Sequence, residues 1–168
     1  MRLIDICEDG KVVIALWIAE KTLKSITDRN KDYDYCRKSV DLCWEWLIDK
    51  KLPKFEIMVR VSNDSRGVAE IALDIEDIEI ANQYGSILIC VSYVAWQAHN
   101  YEKDYYYPQD LECVDDEYLE ELISELIQEK FIVKKEYEMV LTCIAKNYDE
   151  SNKIMMRQKI LAMIESKK

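Results

Sequence analysis

With 168 residues, 49% of them hydrophobic, and only three glycines and two prolines, the chain has the length of one domain and apolar material for a full core. This excludes a disordered chain and argues against a turn-rich β-sandwich. A formal charge of −10 disfavours nucleic acid as a partner, because an acidic surface repels phosphate.

Hydrophobic spacing predicts an all-α fold, a single-domain bundle of about six to eight helices over residues 1–168. Met1 to Cys7 alternates in charge and lacks the apolar run of a secretory signal, and no window has the length to cross a bilayer. A cytoplasmic protein without membrane attachment is the expectation. The first helix carries Val12, Leu16, Ala19, Leu23 and Ile26 on one stripe and ends at Asp28-Arg29-Asn30. The second runs from about Asp32 to Lys51, with Cys36, Val40, Cys43 and Leu47 on one stripe, and Pro53 forbids its simple continuation. Trp44 and Trp46 point to different faces of it, so both are buried only if the helix is contacted on two sides. Pro53 to Arg60 reads as a short helix or an extended segment, and Asn63-Asp64-Ser65-Arg66-Gly67 as a turn.

Val68, Ile71, Ile75 and Ile78 then keep helical spacing. Ala81 to Asn100 is apolar almost all round, as expected of a central helix covered on several sides, with Gly85 the expected point of separation from its predecessor. Tyr101 to Val114 reads as the longest loop. Asp115 or Asp116 can cap the next helix, on which Leu119, Leu122, Ile123, Leu126 and Ile127 face inward. Two more helices are expected over Lys134 to Lys146 and Glu150 to Glu165. Their inward positions are Tyr137, Val140, Leu141 and Ile144, then Ile154, Leu161 and Ile164.

Catalytic chemistry finds little support. A single histidine, His99, and no Gly-x-Ser-x-Gly elbow leave a Ser-His-Asp triad without its parts, so a hydrogen-bonded structural histidine is the better reading. No Glu-x-x-His or His-Glu-x-x-His pair offers a metal site, the turn at Asn63-Asp64-Ser65 lacks the spacing of a calcium loop, and no glycine-rich phosphate loop exists. No cofactor, metal or catalytic residue is therefore expected. Six cysteines include no Cys-x-x-Cys pair, and Cys36 and Cys43 lie roughly 10 Å apart along a helix, beyond disulfide reach. Reduced core thiols are expected.

The charge is concentrated. Between Gly67 and Glu129 sixteen acidic residues face one base, Lys103, and the segment Asp110 to Glu129 has nine carboxylates and no base. The aromatic run Tyr105-Tyr106-Tyr107-Pro108 precedes it, and tyrosine supplies large contact area at low entropic cost. Tyr105, Tyr106, Tyr107, Asp110, Glu112, Asp115, Asp116, Glu117, Glu120 and Glu121 form the candidate partner-binding surface, suited to a basic protein. The competing accounts are plain. The tyrosines cap the end of the bundle, and Glu117, Glu121 and Glu125 line a solvated helix face. A protein-binding module is favoured over a carboxylate-based enzyme.

The segment Asp34-Tyr35-Cys36-Arg37 through Val40-Asp41-Leu42-Cys43-Trp44-Glu45-Trp46-Leu47 resembles the second helix of a bacterial immunity family, and the preceding Ala19-Glu20-Lys21 helix shares the resemblance. That family is the sixth catalogued class of immunity proteins from polymorphic-toxin systems, small and mostly α-helical. The resemblance is specific over the first third of the chain and rests on length and helical order beyond it. It implies a non-enzymatic antitoxin that binds a cognate toxin in the producing cell's cytoplasm, and it carries no toxin-contact residues over. A helical adaptor or regulatory protein is the alternative, and the oligomeric state is open.

Overall fold

The computed structural model describes residues 2–63, 66–148 and 153–165. Eight α-helices and no strand occur among them: α1 (Glu8–Ser25), α2 (Lys31–Asp49), α3 (Lys54–Val61), α4 (Val68–Asp74), α5 (Ile78–Tyr101), α6 (Asp116–Gln128), α7 (Lys134–Asn147) and α8 (Lys153–Glu165). Single 3-10 turns lie at Leu3–Asp5 and Gln109–Leu111. The expected all-α bundle is what forms.

Helix starts follow local chemistry. The Asn30 side chain accepts from the amides of Asp32 and Tyr33, Asp77 from Glu79 and Ile80, and Asp115 from Tyr118, each satisfying amides that the first turn leaves unpaired. Asp77 also corrects an expectation. The Val68–Ile78 periodicity does not continue as one helix, because α4 ends at Asp74 and α5 starts afresh behind the Asp77 cap. Gly85, expected at that break, lies inside α5. At the turn before α4, a Cβ on Gly67 would lie 2.6 Å from the Val61 carbonyl oxygen, so only glycine lets the end of α3 approach so closely. Asp64 and Ser65 of that turn, and Glu150 at the expected start of the last helix, lie outside the described residues.

α1 is the axis of the bundle. It packs on α2, α5, α7 and α8, and Gly10 to Glu20 is buried without interruption, so the single stripe expected from spacing is instead enclosure on all sides. α5 is buried along its C-terminal half but leaves Leu88, Ile89 and Gly85 partly exposed. The helix expected to be most covered is therefore covered on fewer sides than α1. On α8 the buried apolar positions are Met156, Ile160 and Ile164, while Ile154 is exposed and Leu161 half-buried. The i, i+4, i+8 row beginning at Met156 faces the core, so the expected inward placement of Ile154 is wrong.

Both tryptophans of α2 are buried, because the helix is contacted on two sides. Trp44 donates to Glu20 Oε1 at 3.0 Å beneath α1, and Trp46 meets the Tyr101 ring edge-on at 6.2 Å at the end of α5. The Lys50 ammonium stands 3.4 Å from the Trp46 ring centroid. Neither indole is a surface anchor.

All six thiols are free, but only Cys36, Cys43 and Cys90 are buried; Cys7 and Cys113 are exposed and Cys143 is intermediate. Burial pushes the Cys36 thiol up to about 12 and raises those of Cys43 and Cys90 as well. An aromatic disulfide reagent at mildly alkaline pH is expected to titrate Cys7 and Cys113 fast and Cys143 slowly, with the other three reacting only after unfolding. Rapid modification of Cys36, Cys43 or Cys90 in the native protein would contradict this packing.

Candidate partner-binding surface

The acidic segment divides into carboxylates the fold uses and carboxylates it leaves in solvent. Leu119, Leu122, Ile123 and Leu126 turn inward from α6, which puts Glu117, Glu120, Glu121 and Glu125 outward at helical spacing. Asp110, Glu112, Glu117, Glu120, Glu121 and Glu125 are exposed, and none forms an ion pair among the described residues. Asp115 is spent on the α6 cap. Glu117, Glu121 and Glu125 repel one another along one face, and no base occupies the last turn of α6 to complement its dipole.

Asp116 is drawn inward. It accepts from the Tyr93 hydroxyl at 2.7 Å and pairs with Lys11, which also pairs with Glu8 at 2.8 Å. The Gln97 amide completes the set, donating to Glu8 at 2.8 Å and to the Tyr93 hydroxyl at 2.9 Å. Burial pushes the Lys11 ammonium down, but Asp116 and Glu8 outweigh it and hold the group above its ordinary value. Burial and Asp116 both raise the Tyr93 phenol. Lys11 is thus a charged strut that fixes the start of α6 against α1 and α5.

The aromatic loop splits in the same way. Tyr105 and Tyr106 are exposed, at 68% and 91%, whereas the Tyr107 hydroxyl donates to Asn100 Oδ1 at 2.5 Å and its ring lies against His99. Behind them Lys54 pairs with Glu102 at 2.6 Å and Asp104 at 3.0 Å, neutralising the acids nearest the end of α5. Of the ten candidate residues, Asp115, Asp116 and Tyr107 therefore have internal work, and Tyr105, Tyr106, Asp110, Glu112, Glu117, Glu120 and Glu121 face solvent.

Two further charged networks escaped the sequence reading. In the first, buried Glu20 receives Arg37 through both oxygens, at 2.5 and 2.8 Å, together with the Trp44 indole; Asp41 bridges Arg37 to Arg157 of α8. Glu20 follows Leu16 by four residues on the apolar side of α1, and that carboxylate in a hydrophobic run was the available signal. In the second, Asp9 accepts from Lys50 at 2.6 Å and from the Tyr148 hydroxyl at 2.7 Å, and pairs with Lys153 at 2.9 Å. Burial pushes the Asp9 carboxyl up, but its three donors outweigh burial and hold it below its ordinary value. A depressed folded-state value stabilises the protein above the unfolded value and loses that contribution as pH falls through the folded one. Stability is accordingly expected to fall more steeply below about pH 4 in the native protein than in Asp9→Asn. Equal acid limbs in urea titrations at stepped pH would contradict it.

His99 is buried, with Nδ1 2.9 Å from the Ala95 carbonyl oxygen of its own helix. Among the described residues no group of three or more His, Cys, Asp or Glu side chains converges as metal ligands do, and no helix is long and apolar enough to cross a membrane.

The sequence model of one family, described as Immunity protein Imm6, matches residues 10–129, from the start of the buried run of α1 to the residue just after α6. No curated protein and no solved structure matches the chain.

Proposed function

The chain belongs to the Imm6 family of immunity proteins, and from that premise we propose that it is an antitoxin that binds and neutralises a cognate toxin through its acidic surface. The observation that carries the choice of surface is the row of exposed carboxylates on α6, which repel one another and lack any internal partner among the described residues. Apart from Glu117, which lies in the first turn where a negative charge suits the helix dipole, the fold gains nothing from such a row. A basic partner turns the repulsion into attraction and is captured faster for it. Tyr105 and Tyr106, standing free beside the acids, supply contact area at its edge.

In this reading the protein acts in the cytoplasm without cofactor or catalysis, and the toxin domain is basic, as suits an enzyme that works on nucleic acid. Neutralisation then consists of occupying the toxin's own charged face. The test is a pull-down with the tagged protein from its native host at low and high salt, with mass spectrometry of what is retained and a toxicity assay on it. A stoichiometric toxin-domain protein whose toxicity this chain abolishes supports the reading. A retained protein without toxicity favours an adaptor, and retention of nothing removes binding from the account.

A further inference from the structure

Beside the acidic row of α6 lies an apolar groove between α4, α5 and α6, about 500 Å³ in volume and open to solvent. Ala72, Leu73, Gly85, Leu88, Ile89 and Leu122 line it. Leu73 is 84% exposed on its edge, and Ile78, which opens α5 just beyond, is 70% exposed. Isolated exposed hydrophobics are ordinary, whereas several around one concavity mark a surface that something covers.

Gly85 sits well inside α5, where glycine costs helix stability relative to alanine. Elsewhere in the chain close packing explains a glycine: a Cβ on Gly10 would lie 2.5 Å from Ile6 Cγ2, and one on Gly67 would strike the Val61 backbone. A Cβ on Gly85 would meet nothing within 4 Å. Among the described residues no contact calls for the missing side chain. Its effect is to deepen the groove, so that an element from outside can approach the α5 backbone.

Among the described residues the only charged ones lining the groove are Glu125 and Glu129, and Glu76 and Glu79, near the α4–α5 junction in the chain, are exposed. We propose that the groove takes an amphipathic helix of the cognate toxin, with an apolar ridge seated over Gly85 and Lys or Arg on its flanks meeting Glu125 and Glu129. A second copy of this chain is a poor occupant, because a two-fold interface would set the same carboxylates against one another. The proposal rests on the antitoxin reading and names where the toxin is anchored, with the α6 acids guiding it in.

The test measures affinity, by calorimetry, for the catalytically disabled toxin domain encoded beside this protein's gene. Gly85→Trp fills the groove from an open position and is expected to leave Tm nearly unchanged while weakening binding at least about 30-fold, the size of a hot-spot loss. Gly85→Ala is expected to raise Tm by about 2 °C and still to weaken binding, a combination that a purely structural glycine would not give. Glu125→Lys with Glu129→Lys keeps the groove open and is expected to weaken binding more at low salt than at high salt. If the native protein binds and Gly85→Trp binds within threefold of it, the groove proposal is overturned and the antitoxin reading stands. If the native protein does not bind, both fall. If the native protein is a dimer that Gly85→Trp makes monomeric, a second copy fills the groove and the proposal is overturned.

Discussion

Glu20→Ala is expected to destabilise the fold by about 3 kcal/mol and to lower Tm by roughly 10 °C. Glu20 is 6% exposed and receives both ends of the Arg37 guanidinium and the Trp44 indole. Removing it strands a positive charge and an indole N–H together, and breaking a buried pair from one side costs about 3–5 kcal/mol. The lower end applies here, since the Arg37 side chain is 26% exposed and retains Asp41. Glu20→Gln keeps an acceptor for Trp44 and loses only the charge, so its loss should be smaller. The same network reaches Arg157, so its failure should also loosen α8, which an exchange experiment on the α8 amides would register. Urea midpoints for the native protein and both variants decide the matter. A loss below about 1 kcal/mol for Glu20→Ala would mean that the network is no more than surface pairing.

The second large effect is on capture rather than stability. Replacing Glu117, Glu120 and Glu121 together with lysine is expected to slow association with a basic toxin about 10- to 100-fold at low ionic strength, because steering scales with the field of the whole face. The difference should shrink as salt rises, since screening acts over about 10 Å at 0.1 M. None of the three carboxylates has an ion-pair partner among the described residues, so the variant should fold as the native protein does. Asp116→Asn behaves differently. It leaves an acceptor for Tyr93 but removes the charge that pairs with Lys11 and should cost stability, which makes it a control for the distinction between acids that hold the fold and acids that face outward. Stopped-flow association at two salt concentrations reads the effect. Unchanged rates after triple reversal would take this face out of the toxin's path.

The elements were largely legible in the chain. Hydrophobic period, Asp115 at the start of α6, and the acidic α6 face opposite its leucines follow from rules that act over a few residues, whereas the Asn30 and Asp77 caps obey the same rules and were missed. The family resemblance at Asp34 to Leu47 was legible too, and its residues prove to be scaffold: Arg37, Asp41 and Trp44 build the Glu20 network, and Cys36, Cys43, Trp46 and Leu47 are core. Errors arose where two local signals competed. Gly85 looked like a break and Ile75 like a continuation, yet the Asp77 cap placed the boundary, because a cap satisfies free amides while a lone glycine only lowers helix stability.

By itself, then, the sequence determined the helical class and the apolar faces of most helices, because composition and period set what each segment buries. Only the tertiary structure decided that α1 and not α5 is the enclosed axis, that Asp116 and Tyr107 are held internally while Glu117 and Tyr106 stand free, and that an apolar groove opens over Gly85. The physical reason is that periodicity names the face a helix will cover but not the helix that covers it. Lys11 and Asp116 are 105 residues apart, and Arg157 and Asp41 are 116 apart. A pairing across such a distance is fixed by how the bundle closes, and no local pattern encodes it.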